Sequence, residues 1–398
     1  MHYTAPIKQS HRLGRWHKVV LVGGLLCCLI AAAVVVLALP KASTTTTQVT
    51  AATEKHEGIT SHIMFAGDVN WGRFTQRRAE ASGKGYAYLM SGIQPSERAA
   101  YDAWIANFEC PVTSKDVPYA TQVAILKFNC RPEYLSALAK YFTAASLANN
   151  HTDNNGGQWG LQQTRLNLEK SGIQYFGTYD MEQTGDICEV ISVPAASGKK
   201  HVELPLALCG YMYVVDARPT DAQLQVMRSY SKVMPVVAFP HMGIEYRNTA
   251  ESEKVSAYRR MIDNGADIVI GAHPHVIQNS ENYKGRLIAY SVGNFLFDQQ
   301  SVSSETNRAL TVGIKLSVPA GRAADAYMAA AGSCRAYKDT CLRALQKSIS
   351  KRPTIRVAYD FGCYSLTSGV PVKGSAQECQ LANRAATTDK LENLSKQW

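Results

Sequence analysis

The central part of the chain alternates short apolar runs with amphipathic segments. Five apolar runs have the length and composition of buried β-strands: 62–66, 142–148, 235–239, 267–271 and 288–292. Two segments carry the helical period, 157–170 before Gly172 and 251–264 before Gly265, and glycine commonly ends a helix. A strand, a polar tip and a helix therefore recur, and this order predicts a mixed α/β fold.

Polar motifs stand at the tips of these elements, and four of the five motifs follow apolar runs. The five motifs are 67–70, 107–109, 149–151, 239–243 and 271–275. They supply Asp, Glu, Asn and His, the side chains that bind hard or borderline metal ions. Strand ends from distant sequence meet at one edge of an open α/β sheet. The pattern therefore predicts a site for two metal ions.

The motif Gly271-Ala272-His273-Pro274-His275 is the most informative of the five. Two imidazoles two positions apart beyond a buried strand can bind adjacent metals, and His241 adds a third. Each motif taken alone has another interpretation: a turn at Asp68, a surface acid at Glu109, an Asx turn at 149–151, or structural core histidines. The combination favours a metal site.

The N-terminal sequence predicts the cellular location of the protein. Residues 19–39 form an uncharged apolar run of 21 residues, about 31 Å long as a helix and enough to cross a bilayer. Four basic residues precede it: Lys8, Arg12, Arg15 and Lys18. The positive-inside rule then predicts a single-pass protein of the cell membrane whose segment 1–18 is cytoplasmic and whose run 19–39 is a signal anchor. A linker, 40–58, would follow, and the rest of the chain would be extracellular. A cleaved signal peptide is the alternative, although its apolar core is usually shorter.

Charge and cysteine content narrow the function classes. The net charge is +10, and the sequence contains no basic run of the kind that binds nucleic acid. Eight cysteines follow the apolar run, an even number typical of disulfides in an exported protein. Neighbour pairing is the simplest of the many possible connectivities: 110–130, 188–209, 334–341 and 363–379. Residues 59–318 hold all five motifs, and 319–398 are predicted to form a small disulfide-stapled, cysteine-rich appendage.

The motifs together resemble the CapA family, which is linked to the synthesis of poly-γ-glutamate capsules. The resemblance covers about residues 60–300 and rests on six segments: FAGDVNWGR (65–73), NFECPVT (107–113), SLANNH (146–151), HMGIEY (241–246), GAHPHVIQ (271–278) and YSVGNFLFD (290–298). The family resembles the calcineurin-like metallophosphatases. The resemblance therefore implies a four-layer α/β/β/α sandwich with metals at the strand ends.

The resemblance also implies roles for particular residues. Two divalent ions, of Mn, Fe or Zn, would be bound by six side chains: Asp68, Glu109, Asn150, His241, His273 and His275. His151 would be a general acid or orienting group beside the leaving oxygen. Arg73, as a catalytic and substrate-binding residue, would line the substrate pocket with Glu245 and Asn294. The chain departs from the family pattern at three positions: Asn70 replaces a usual imidazole, Cys110 a glycine and Met242 a tryptophan.

Two function hypotheses follow from the resemblance. The first is a membrane-tethered, metal-dependent hydrolase that cleaves a phosphoester or a polyglutamate-type amide outside the cell. The second is a non-catalytic scaffold that binds an anionic polymer together with other capsule-synthesis membrane proteins. An adhesin-like surface module would explain the C-terminal region but not the five motifs. His151 beside the metal ligands favours the hydrolase, because a scaffold has no need of it.

Overall fold

The computed structural model describes residues 57–214, 218–331, 334, 338–349 and 352–398. The predicted membrane segment 19–39, the cytoplasmic segment 1–18 and most of the linker lie outside these residues. Across the described ranges, no helix combines the length and apolar character that a membrane crossing requires.

Fourteen strands of the described chain belong to one sheet. They are β1 (Ile59–Val69), β2 (Ala103–Phe108), β3 (Ala144–Ser146), β4 (Gln174–Phe176), β5 (Cys188–Ser197), β6 (Lys200–Tyr213), β7 (Val236–Met242), β8 (Ile268–Ile270), β9 (Ser280–Tyr283), β10 (Arg286–Ala289), β11 (Asn294–Leu296), β12 (Arg308–Val318), β13 (Arg356–Thr367) and β14 (Val370–Lys373).

Helices connect and cover these strands. The α-helices of the described residues are α1 (Arg73–Ala81), α2 (Pro95–Ala99), α3 (Tyr119–Ile125), α4 (Leu135–Leu138), α5 (Gln158–Lys170), α6 (Asp221–Ser231), α7 (Ser252–Asp263), α8 (Arg322–Ala331), α9 (Lys338–Ser348) and α10 (Ala376–Ala386). Short 3₁₀ helices span Gly85–Met90, Pro132–Tyr134, Thr184–Asp186, Glu305–Asn307 and Thr388–Lys390. Strands and helices alternate, so the predicted mixed α/β fold is confirmed.

Strand β1 is the junction of the sheet. It pairs in parallel with β2 and β11, antiparallel with β12, and through one position with β5. From β2 the sheet continues in parallel to β3 and β4. From β5 it continues through β6, β7, β8 and β10 to β9. Parallel strands deliver their carboxyl ends to one edge, and the five polar motifs come from such ends or from the loops after them.

The two faces of β1 pack into two different cores. Ile63 and Phe65 belong to the core that also holds β5 to β8, whereas Met64 and Ala66 pack with β2, β3 and α5. A strand buried on both faces has no alternation of polar and apolar residues. That burial explains why residues 63–66 of β1, residues 236–239 of β7 and the whole of β8 stand out in the sequence as continuous apolar runs.

Element boundaries differ from the predicted ones by a few residues. Strand β3 is shorter than the predicted run 142–148, and β7 extends to Met242, so that His241 lies inside the strand. The predicted run 288–292 divides into the end of β10 and a single bridge between Val292 and Ile277. Apolar composition marks burial, but it does not mark where the hydrogen-bonded ladder ends.

The C-terminal region is part of the main sheet and not a separate appendage, which corrects the prediction for 319–398. Strand β13 pairs antiparallel with β12 along most of its length, and β14 continues beyond it. Tyr327 of α8 donates a hydrogen bond to the carbonyl of Pro205 in β6 at 2.7 Å. The physical reason is that the backbone groups along one edge of β12 would have no partners without β13.

The described structure contains four disulfides, and the predicted neighbour pairing is confirmed. The pairs are Cys110–Cys130, Cys188–Cys209, Cys334–Cys341 and Cys363–Cys379. Cys110–Cys130 closes the segment that carries Phe128, and Phe128 stacks on His151 with the ring centroids 3.8 Å apart. This disulfide therefore links the fold to the candidate site.

Replacing both Cys110 and Cys130 with serine is expected to lower the free energy of unfolding by about 3 kcal/mol, because the unfolded chain gains the entropy of a loop that closes over 20 residues. Denaturant unfolding of the oxidised protein measures the loss. An unchanged unfolding midpoint would contradict a structural role for this disulfide.

Candidate metal centre

Asp68 at the end of β1 is the centre of the site. Its side chain is fully buried. Oδ1 accepts a hydrogen bond from Asn107 Nδ2 at 2.8 Å, and Oδ2 accepts one from the backbone N–H of His273 at 3.2 Å. The preceding Gly67 is required by close packing, since a Cβ there would lie 1.8 Å from the carbonyl oxygen of Gly293. The side chain of Asp68 is thus fixed by Asn107 and His273, which belong to two other motifs.

Glu109, just beyond β2, has a buried carboxylate oxygen without a partner. Among the described residues, no group forms a hydrogen bond with Oε1. Three imidazole nitrogens surround this oxygen: Nε2 of His275 at 3.6 Å, of His241 at 3.8 Å and of His151 at 3.9 Å. Burial, reinforced by Asp68, raises the pKa of Glu109 well above its usual value. An oxygen in this environment fits a bound cation, which would satisfy it.

His275 presents one nitrogen to Glu109. Its Nδ1 lies 2.9 Å from Asn294 Oδ1, while Asn294 Nδ2 donates to Gln299 and to the carbonyl of Thr306. Asn294 therefore accepts the Nδ1 proton of His275, and the lone pair of Nε2 is left for a ligand. Ligand atoms of Asp68, Glu109 and His275 all lie within 4.8 Å of one another. They form the first candidate ion site.

A second group of ligand atoms surrounds His241. Nε2 of His241 lies 2.8 Å from Asn150 Oδ1 and 3.1 Å from His273 Nδ1. Ligands that share one ion at about 2.1 Å are separated by about 3 Å, so these distances fit a second ion. Burial lowers the pKa of His241 and of His273 well below the usual value. Both imidazoles are therefore neutral, the form that binds metals.

Backbone geometry at the histidine motif is unusual. His273 has a φ of 96° and His275 a φ of 59°, and both values lie in the left-handed region that side chains other than glycine rarely adopt. Such strain persists only where the surroundings enforce it, and it concentrates at functional sites. Here the hydrogen bonds to Asp68 and Asn294 hold the two residues in place.

His151 is oriented by two neighbours. Its Nδ1 lies 2.7 Å from Asn154 Oδ1, which also accepts the backbone N–H of Phe128 at 3.1 Å. Its ring stacks on Phe128. Nε2 therefore faces Glu109 and the candidate ions. Burial lowers the pKa of His151 to about 4, so the neutral imidazole predominates.

Arg73, at the start of α1, lies beside this imidazole. Its guanidinium carbon is 4.7 Å from the centroid of Phe128, and its Nε is 3.2 Å from Asp298 Oδ2. The side chain is 11% exposed. A fixed, nearly buried guanidinium close to the candidate ions is suited to binding an anionic group.

The structure brings together the six predicted ligands and His151. It places Asn294 behind His275, fully buried, where it orients the imidazole rather than lining an open pocket. Glu245 is exposed, and its carboxylate joins His273 and His275 as a further possible set of ion ligands. The individual roles of these residues stay predictions.

Several supporting residues were not assigned a role from the sequence. Asn70, at the position of the missing imidazole, donates from Nδ2 to the carbonyl of Glu109 at 3.0 Å. Asn107 bridges Asp68 and Asn149, and Asn154 orients His151. Asn107 lies within a motif, and Asn154 follows His151 by three positions. In the sequence, the signal that could have identified these residues was their proximity to a motif.

These observations define a mixed α/β protein with a candidate metal centre where parallel strands end. Residues 62–299 match the family model of the bacterial capsule synthesis protein PGA_cap, and the chain belongs to this family, as the resemblance implied. It is 32% identical over 252 residues to the PGA biosynthesis protein CapA of Bacillus subtilis, a match of 59% of this chain and 63% of that protein. It is 26% identical over 267 residues to the capsule biosynthesis protein CapA of Bacillus anthracis, a match of 63% of each chain. The chain therefore spans less than two thirds of the length of either relative.

Two solved structures show weak similarity. The protein TT1561 of Thermus thermophilus has a TM-score of 0.35 at 8% identity, over 63% of this chain and 93% of that one. A Staphylococcus aureus protein, described as a candidate 5′-nucleotidase in complex with α-ketoglutarate, has a TM-score of 0.36 at 13% identity. The match covers 82% of this chain and 58% of that one. At these values neither similarity carries a functional argument.

Proposed function

We propose that this protein is a metal-dependent hydrolase that acts in the biosynthesis of a capsule or cell-envelope polymer. The observation that carries the proposal is the unpartnered Oε1 of Glu109, buried among three imidazoles beside Asp68. The substrate class is a phosphoester or a γ-glutamyl amide of a poly-γ-glutamate-like polymer. The proposed architecture is the four-layer α/β/β/α sandwich of the metallophosphatases.

Two divalent ions, of Mn, Fe or Zn, fit the donor set. Asp68, Glu109 and His275 would hold one ion, and Asn150, His241 and His273 the other. Mixed oxygen and nitrogen donors favour these metals over Ca²⁺. When bound, such ions lower the pKa of a coordinated water and neutralise charge on a substrate oxygen.

The chain's own residues position the substrate. Arg73 pairs with an anionic group, since its guanidinium is fixed by Asp298 and Phe128. Neutral His151 directs Nε2 into the site, because Asn154 accepts its Nδ1 proton. Burial disfavours the charged imidazole of His151, whereas a general acid must carry a proton to donate. The burial therefore supports an orienting role for His151 over that of a general acid.

The setting is also part of the proposal. The apolar run 19–39 and the four basic residues before it support a single-pass anchor, with the catalytic domain outside the cell. The names of the two relatives support a role in capsule biosynthesis. Other membrane proteins of capsule synthesis are the proposed partners.

A substrate screen of the purified, metal-loaded full chain tests the proposal. The panel contains phosphomonoesters, phosphodiesters and γ-glutamyl amides, each assayed with Mn²⁺, Fe²⁺ or Zn²⁺ and with a chelator. Turnover that the chelator abolishes is expected for at least one class. Binding of poly-γ-glutamate without turnover of any substrate would contradict the hydrolase and favour the scaffold.

Replacing Asn154 with alanine is expected to lower turnover about 10- to 100-fold, the usual cost of losing a partner that orients a catalytic or ligating histidine. Asn154 Oδ1 contacts no predicted metal ligand, and its Nδ2 donates to the backbone carbonyl of Asn150 at 3.5 Å and not to a ligating atom, so metal content is expected to stay the same. Replacing the exposed Asn248, which donates to Glu305, is the control. A loss of metal along with turnover would show that Asn154 supports the fold of the site instead.

A further inference from the structure

A cavity of about 380 Å³ adjoins the candidate metal centre at His273. Met242 and Ile244 supply apolar wall, and Glu251 and Lys254 supply charge. The volume is that of a small-ligand pocket, and such pockets combine apolar walls with a few polar groups that fix orientation. The residues with proposed roles in hydrolysis leave these two charges unexplained.

Lys254 is a buried amine in this cavity, and burial lowers its pKa to about 7. Its side chain is 1% exposed, and its Nζ donates to Gln278 Oε1 at 2.9 Å. An ammonium group can donate three hydrogen bonds. Lysine is rarely buried to this extent unless a partner compensates for its charge. Glu251, three positions earlier, and Asp68 compensate for it in part, and an anionic group of a ligand in the cavity would complete that compensation.

Glu251, at the N-terminus of α7, is the complementary charge. Both of its carboxylate oxygens are buried, and neither forms a hydrogen bond with any described residue. The neighbouring Glu253, by contrast, accepts a hydrogen bond from Ser252 and pairs with Arg218. A buried, unpartnered carboxylate requires a donor. The cavity is where a ligand could bring one.

Gly243 leaves space beside both charges. A Cβ at this position would lie 3.0 Å from Lys254 Nζ and 3.2 Å from Glu251 Oε2. The φ of Gly243 is 114°, so the backbone also favours glycine here. A cation and a carboxylate therefore border the same small opening, one turn of α7 apart.

We propose that this cavity binds the α-ammonium and the α-carboxylate of one amino-acid residue, with Glu251 facing the ammonium and Lys254 facing the carboxylate. Groups of opposite charge on one ligand carbon match opposite charges at one opening of the protein. The N-terminal residue of a γ-linked polyglutamate carries both groups. The inference rests on the proposed function in one respect: it takes the reacting bond of that substrate to lie at the metal centre.

Calorimetric titration of the metal-loaded full chain tests this proposal without any turnover. The probe is glutamic acid γ-methylamide, in either enantiomer, beside its N-acetyl derivative and its α-carboxamide. Wild-type protein is expected to bind the parent compound at least about tenfold more tightly than either derivative, a difference of about 1.4 kcal/mol.

Two variants separate the charges. Glu251→Gln is expected to abolish the discrimination against the N-acetyl derivative, and Lys254→Met the discrimination against the α-carboxamide. Asp263→Asn, which changes an exposed carboxylate at the other end of the same helix and outside the cavity, should retain both. If Lys254→Met does not fold, Gly243→Ala replaces it and is expected to weaken binding of all three compounds, because its Cβ fills the opening.

Equal affinity of wild-type protein for the three compounds, or no binding of the parent compound, would overturn the proposal. The outcome is independent of the hydrolase proposal. Discrimination without hydrolysis of any substrate would retain the amino-acid site and remove the hydrolase. Hydrolysis without discrimination would retain the hydrolase and remove the amino-acid site.

Discussion

Replacing His275 with alanine is expected to remove bound metal and to lower hydrolysis by more than about 100-fold, since loss of a ligand exceeds the 10- to 100-fold cost of losing an outer partner. His275 presents Nε2 to Glu109, its Nδ1 lies 3.4 Å from Asp68 Oδ2, and Asn294 fixes its orientation. Without His275, the first candidate ion site keeps only the carboxylates of Asp68 and Glu109. Metal analysis by mass spectrometry and a phosphoester assay measure the two effects.

His201→Ala is the matched control, because His201 is an exposed histidine of β6 outside the site. It is expected to keep wild-type metal content and activity. A His275→Ala protein that retains both ions and full activity would show that His275 is a structural histidine, contrary to its assignment as a ligand.

Replacing His151 with alanine is expected to lower turnover by about 10²- to 10⁴-fold, the range for a group that assists proton transfer or orients the reacting atoms. Both ions should stay bound, because His151 belongs to neither candidate set of ligands. Steady-state kinetics beside metal analysis separate this result from that of His275→Ala. Unchanged turnover with metal retained would remove His151 from the reaction.

The buried strands and their polar tips could be predicted from the sequence because burial on both faces leaves a direct trace. Residues 63–66 of β1, 236–239 of β7 and all of β8 are apolar, and His273 and His275 follow β8 two positions apart. The mixed α/β class and the convergence of the ligands followed from this pattern. Both depend on local composition and on the general geometry of parallel sheets.

Features that depend on contacts between distant segments could not be predicted. β13 has a half-buried pattern, and nothing in its sequence indicates that β12 is its neighbour. Lys254 has the sequence context of a solvated charge on an amphipathic helix, yet it is buried. The contact of Asn70 with the carbonyl of Glu109 joins two motifs 39 residues apart. Such pairings are properties of the folded chain.

The central claim is that this chain binds two catalytic metal ions, and metal stoichiometry tests it most directly. The purified full chain is stripped, refilled with Mn²⁺, Fe²⁺ or Zn²⁺, dialysed and analysed beside Asp68→Ala, with the exposed Asp389→Ala as control. The account predicts about two ions per chain in wild type and in the control, and a loss in Asp68→Ala. Wild-type protein that holds none of the three metals would contradict it.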